Sequence, residues 1–226
     1  MNMFETEPSV SKSARTRARI SEAATASFVE RGYADTTMRM IAENAGVSVG
    51  NAYYYFSSKN HLVQDLYERV QREHAAAAAD GLRDAIGLID RLRVVFETGL
   101  ATLKPYHRSA PGFLSAMIAP DSALNPLSAE SSAARDMTVS LFREAVDGGQ
   151  HRLPSEIATL LPEALFVMYL ALVLRWTYDD SPSSTKTERM LDAGLRLFAL
   201  ALPFLRVPGV RSGARELLVL ISEVGS

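Results

Sequence analysis

The 226-residue chain contains no cysteine. That excludes a disulfide framework and thiolate-held metal, and it fits a reducing compartment. Histidine is scarce as well: His61, His74, His107 and His151 are scattered without HxxxH spacing, so no metal site is expected. Alternating β-branched runs are missing, which argues against a sheet. The most apolar window, "ALFVMYLALVL" at 164–174, is bounded by Glu163 and Arg175. It falls short of the ~20 residues a spanning helix needs and reads as a buried helix. The opening "MNMFETEPSVSKSAR" has no apolar run of the secretory type, so a cytoplasmic location is expected. P-loop and GxGxxG patterns are absent, and Asp179-Asp180 beside Ser181-Pro182 reads as a turn. Neither enzymatic chemistry nor a cofactor is expected.

What is present is a large apolar fraction, 47%, enough to bury a core, and a net charge of −2. The charge is unevenly spread. Residues 12–72 hold nine Lys or Arg against six acids, whereas residues 73–226 hold 15 basic and 18 acidic residues. A basic front joined to an acidic remainder suggests that only the front meets a polyanion.

Apolar positions recur at three- and four-residue spacing almost throughout, so the fold is expected to be all-α with about nine or ten helices. A first helix over 14–30 carries Ile20, Ala24 and Phe28 on one face and stops at Gly32. Thr36 or Thr37 caps a short second helix carrying Met38, Ile41, Ala42 and Ala45, and Gly46 ends it. Ser48 caps a third through Tyr55. Ser57 or Ser58 caps a fourth from near Lys59, which the alanine run at 75–79 continues. Further helices are expected from Ile86 to a stop before Pro105, from Pro111 through Ile118, and from Asn125-Pro126 to "DGG" at 147–149. Pro162 then opens an apolar helix to Tyr178, Thr185 and Glu188 stand at capping-box spacing for the next, and a last helix covers 213–224 after "RVPGVRSG".

The second and third of these helices meet at Gly46 with a capping serine just after it, which is what a helix-turn-helix requires. Val47 and Ala52 would hold the pair against the first helix, and Phe56 would close the small core. In such a unit the second helix enters the major groove. Successive helical residues lie about 100° apart, so Tyr53, Tyr54 and Tyr55 cannot all turn inward with Phe56. An outward phenol can bond a phosphate oxygen or lie against a sugar or a thymine methyl.

The stretch "TRARISEAATASFVERGYADTTMRMIAENAGVSVGNAYYYFSSKNHL", 16–62, resembles the tetracycline-repressor (TetR) family of bacterial transcription regulators. The likeness rests on Gly32 with its following aromatic, Thr36-Thr37, Ile41-Ala42, "AGVS" at 45–48, Gly50, "YYYF" at 53–56, and Ser58-Lys59 with Leu62. It implies a three-helix DNA-binding domain over 12–60 and a helical effector-binding and dimerisation domain over 61–226. It also implies that Ser48, Val49, Gly50 and Asn51 begin the recognition helix, and that Tyr53, Tyr54 and Tyr55 contact phosphates and bases. Thr37, Arg39 and Lys59 match further DNA-contacting positions, and Arg39 can pair with guanine. Two departures stand out. Asn60 and His61 replace an acidic residue often found after the lysine, and Val49 replaces a polar or basic residue.

The resemblance further implies a homodimer, here through 162–178 and 185–205, and an effector pocket. Its candidate lining is Tyr106, His107, Phe113, Met117, Phe142, Phe166, Met168, Tyr169, Arg175 and Trp176, although such rings at helical spacing also serve as ordinary core. Arg175 faces either an anionic effector or Asp179 or Asp180. The expected function is a repressor on a palindromic double-stranded DNA operator, released by a small-molecule effector. The alternatives are an architectural DNA binder without effector and a protein-protein adaptor that has lost DNA affinity.

Overall fold

The computed structural model describes residues 11–117, 122, 124–150 and 153–223. Among these are ten α-helices, four short 3₁₀ turns and no strand. The chain divides into two compact units between Leu66 and Tyr67.

In the first unit, α1 (Lys12–Arg31) starts at Ser11, whose Oγ accepts from the Ala14 amide at 3.1 Å. It buries Ile20, Ala24 and Phe28 and ends at Gly32, whose φ of 85° disfavours a side chain. Helices α2 (Met38–Asn44) and α3 (Val49–Tyr55) are seven residues each. Ile41, Ala42, Ala52 and Phe56 are buried with the α1 residues, and Val47 is half-buried. Helix α4 (Lys59–Asp84) begins with the Ser58 Oγ accepting from the His61 amide at 3.3 Å, so Ser58 supplies the cap in place of an acid.

The second unit contains α5 (Leu88–Leu103), α6 (Ala110–Met117), α7 (Ser132–Asp147), α8 (Ser155–Thr177), α9 (Thr185–Ala201) and α10 (Pro208–Ser222). Helices α7 and α10 pack on α8, α5 packs on α7, and α9 packs on both α5 and α8. Phe96, Phe142 and Tyr169 meet at the centre of the core, with the Phe96 and Phe142 centroids 5.0 Å apart. Gly99 permits this approach: a Cβ there would lie 2.8 Å from the Tyr169 hydroxyl. The buried Arg91 guanidinium donates to Ala145 O at 3.1 Å, Glu144 O at 3.0 Å and Ala85 O at 3.0 Å, and also to Leu82 O. One side chain thus satisfies carbonyls at the C-terminal ends of both α4 and α7.

Three helix starts differ markedly from expectation, each for a local reason. Helix α8 begins seven residues before Pro162 because Ile157, Leu161 and Leu165 make one continuous buried stripe. That burial outweighs the donor lost at the proline. At 23 residues, α8 is long and apolar enough by length and composition to cross a membrane, yet Leu161, Leu165, Tyr169 and Leu172 belong to the core. Asn125-Pro126 forms a turn instead of a helix start, with Asn125 Oδ1 accepting from the Leu127 amide at 2.9 Å, and α7 starts only at Ser132. Helix α10 starts at Pro208, whose fixed φ suits the first helical position, and carries Gly209 and Gly213 within it. Its Arg211 and Arg215 both pair with Glu156, at 3.1 and 3.7 Å. The expected extensions to Ile118 and Val224 lie outside the described residues.

Helix α9 starts at Thr185 as expected, but its capping group differs. Asp179, not the Thr185-Glu188 pair, caps it: Oδ2 accepts from the Thr187 amide at 2.7 Å and its hydroxyl at 2.6 Å, while Oδ1 accepts from Ser181. Burial alone would raise the Asp179 carboxyl, but the hydrogen bonds from Ser181 and Thr187 hold it well below the usual carboxylate range. A depressed folded-state pKa adds stability above the unfolded value, about pH 4, and that stability is lost as pH falls toward the folded value. Asp179→Asn is therefore expected to lower the melting temperature at neutral pH, with the gap to wild type closing as pH drops below about 4.

Candidate nucleic-acid interface

The helix-turn-helix is shaped by its own caps. Thr37 Oγ1 accepts from the Met40 amide at 3.3 Å, and Ser48 Oγ accepts from the Asn51 amide at 3.1 Å. Gly46, at φ 63°, terminates α2: its own amide donates to Glu43 O, and the Val47 amide donates to Ala42 O at 2.9 Å. This pair of bonds is the Schellman arrangement, which turns the chain sharply. Thr36 is buried and donates to Gly32 O at 2.7 Å, so only Thr37 of the threonine pair faces solvent.

On the outer edge, Ser48, Val49, Gly50 and Asn51 at the start of α3 are all exposed, as are Thr37 and Arg39. Tyr54 is 81% exposed and Tyr53 49%. Tyr55 is half-buried, stands edge-on to Tyr54 and has its hydroxyl 3.2 Å from Ser13 Oγ in the first turn of α1. Two of the three phenols therefore point outward. The capping hydroxyls add to that edge, because each uses a lone pair on an amide and keeps its own proton to donate. Donors without net charge thus dominate the protruding surface of α3, with Arg39 and the exposed Lys12 and Arg15 near the starts of α2 and α1.

Lys59 is placed differently from expectation. Its ammonium donates to Tyr33 O at 2.6 Å, Thr36 O at 2.9 Å and Ala34 O at 3.4 Å, and lies 4.0 Å from the Tyr33 ring centroid. An ammonium has three protons, so all three are engaged within the protein. Two exposed arginines counted with the basic front are also engaged within the protein. Arg17 pairs with Asp65 at 2.6 Å and lies over the Phe56 ring, and Arg19 donates to Ala45 O at 2.9 Å. No spacing signal marks these roles, since each joins residues far apart in sequence through a long flexible side chain.

A family model for bacterial regulatory proteins of the tetR family matches residues 20–66, and one for the tetracyclin repressor-like C-terminal domain matches residues 91–203. The chain belongs to the TetR family. The regulator TtgR of Pseudomonas putida is 40% identical over 81 residues, 34% of this chain and 39% of that protein. The repressor KstR2 of Mycobacterium tuberculosis is 31% identical over 91 residues, 40% of this chain and 46% of that protein. These alignments span less than half of the curated relatives' length, and for the mycobacterial regulator Rv0767c about a third, 35%. Among solved structures, a TetR regulator of Nitrosomonas europaea has a TM-score of 0.63 at 19% identity, covering 81% of this chain and 98% of its own. FadR of Thermus thermophilus, solved with lauroyl-CoA, has a TM-score of 0.60 at 22% identity, covering 80% of this chain and 92% of its own. Both share the fold.

The expected effector residues of this TetR-family chain do not line one chamber. Phe142, Phe166 and Tyr169 belong to the packed core. Trp176 stands edge-on to His107, whose Nε2 donates to Trp176 O at 2.9 Å. Phe113 is buried on α6, Tyr106 and Met117 are half-buried, and Met168 is exposed. Neither Asp179, spent on the α9 cap, nor Asp180, paired with Lys186 at 2.8 Å, forms an ion pair with Arg175. Surface clefts open among the described residues of this unit. One of about 440 Å³ includes Arg143, Glu163 and Phe166, and one of about 780 Å³ includes Leu100, His107, Trp176 and Glu188. Among the described residues no group of three or more acidic or histidine side chains is arranged to hold a metal.

Sequence reasoning passed over His74. It is buried, stacks on Tyr169 at 5.9 Å and bonds Val95 O through Nε2 at 2.8 Å. Burial pushes its pKa down, partly offset by the Val95 carbonyl. The folded state thus favours neutral imidazole, and stability falls as pH drops below the unfolded value of 6.5. His74→Gln is expected to flatten that fall, measured as the difference between urea midpoints at about pH 7 and about pH 5.5.

Proposed function

We propose that this chain is a transcriptional repressor that binds a palindromic double-stranded DNA operator as a homodimer in the cytoplasm and leaves it when a small-molecule effector binds. The observation that carries the reading is the edge of α3: Tyr53 and Tyr54 stand out from a short capped helix whose first residues are all exposed. Phenols and capping hydroxyls donate to phosphate without net charge, so an acidic protein can still grip a polyanion locally. Ser48, Val49, Gly50 and Asn51 are assigned to the groove, with Val49 making apolar contact to a thymine methyl. Thr37, Tyr53 and Tyr54 are assigned to the backbone and Arg39 to a guanine.

Dimer formation is supported by an apolar strip in the second unit. Leu197 and Leu200 on α9 are 69% and 70% exposed, and Phe204 and Val207 continue the strip toward α10, where Leu217 and Leu220 are also exposed. On α8, Met168 and Leu174 are exposed too. Unpaired apolar surface of this extent is what a partner helix covers. Two copies then present two recognition helices about 34–36 Å apart, one turn of DNA. An effector acts only if it prefers a conformation with a different spacing, and it is assigned to the clefts beside Phe166 and beside Trp176 in the second unit.

Two outcomes test this reading. Arg39→Ala should relax discrimination at one base pair by about 1–3 kcal/mol, read from affinities for singly substituted operators. Leu200→Glu should convert the dimer to a folded monomer in sedimentation equilibrium and weaken operator binding; an unchanged dimer would remove α9 from the interface.

A further inference from the structure

Helix α2 has seven residues, and both of its ends are held by a cationic side chain from another helix. At its start, Lys59 on the first turn of α4 gathers the carbonyls of Tyr33, Ala34 and Thr36, the residues leading directly into the Thr37 cap. At its end, Arg19 of α1 donates to Ala45 O at 2.9 Å and Gly46 O at 3.4 Å, the carbonyls of the turn that leads into α3. Carbonyls left over at a helix end or in a turn need donors, and a cation meets them with charge-assisted bonds. Neighbouring contacts fix the same frame: the Tyr33 hydroxyl bonds Asn60 Oδ1, and Asn44 Nδ2 donates to Ser27 Oγ at 3.1 Å.

We infer that Lys59 and Arg19 are positioning residues for DNA binding: they clamp the two ends of α2 and so set how α3 is presented, and Lys59 makes no phosphate contact of its own. To reach a phosphate, Lys59 would have to abandon three carbonyls and the face of the Tyr33 ring. Its ammonium is partly withdrawn from solvent, which lowers its pKa while Asp35 raises it. The inference rests on the DNA-binding reading above but assigns this lysine another job within it.

Salt dependence separates the two jobs. Each phosphate neutralised by a protein cation contributes about −0.9 to the slope of log K against log salt concentration, whereas a residue acting through backbone placement contributes nothing to it. The test uses the full chain, a duplex enriched by the wild-type protein from a random-sequence pool, and amide hydrogen exchange on the DNA-free protein. Lys59→Met is expected to weaken binding about tenfold or more at every salt concentration, leave the slope at the wild-type value, and speed exchange in α2 but not in α5 or α7. Arg19→Met should behave alike, which keeps the question decidable if Lys59→Met fails to fold. A slope shallower by about 0.9 per lost contact, with α2 exchange unchanged in Lys59→Met, overturns the inference. If the wild-type protein enriches no duplex, the DNA-binding reading fails instead, and exchange still decides the clamp: unchanged protection of α2 in both variants overturns it.

Discussion

Helices of two turns are not stable alone in water, because the nucleation cost exceeds what so few hydrogen bonds return. Helices α2 and α3 are both of that length, so the N-terminal unit depends on what holds their ends. Side-chain caps at Thr37 and Ser48, the left-handed Gly46, and the cations Arg19 and Lys59 supply bonds at or beside these ends that intrahelical pairing leaves out. With so few residues in the helices, little of the surface is needed for packing. The outer edge of α3 is therefore free to carry tyrosines that a longer, more deeply packed helix would bury.

The larger unit meets the same demand differently. There the ends of α4 and α7 share the one buried guanidinium of Arg91, and α9 begins on the carboxylate of Asp179. Burying such groups costs desolvation energy that hydrogen bonds must offset, and Arg91 donates four while Asp179 accepts four. The aromatic residues between them are mostly core. The clefts of this unit open at its surface, where α5 meets the start of α9 and where α7 meets α8 and α10.

Much of the small unit was legible in the sequence because capping is local chemistry. Thr37, Gly46 and Ser48 mark their boundaries within three residues, and helical geometry alone required outward tyrosines once Phe56 was inside. The bonds of Lys59, Arg17 and Arg19 were not legible, since a basic residue reads as a solvated charge until its distant partners are placed beside it. In the larger unit, periodicity identified the helices but misjudged starts. Pro162 lies inside α8 because the buried stripe continues through it, and Pro208 opens α10 instead of breaking the chain. The effector residues were the least legible, because rings at helical spacing carry the same pattern whether they fill a core or line a pocket.

Tyrosine nitration of the free protein and of its complex with an enriched duplex tests most directly whether the edge of α3 meets DNA. The account predicts that Tyr53 and Tyr54 are modified readily in the free protein and become protected by DNA, while the buried Tyr169 stays unmodified in both states. Equal modification of Tyr53 and Tyr54 with and without saturating DNA would contradict it.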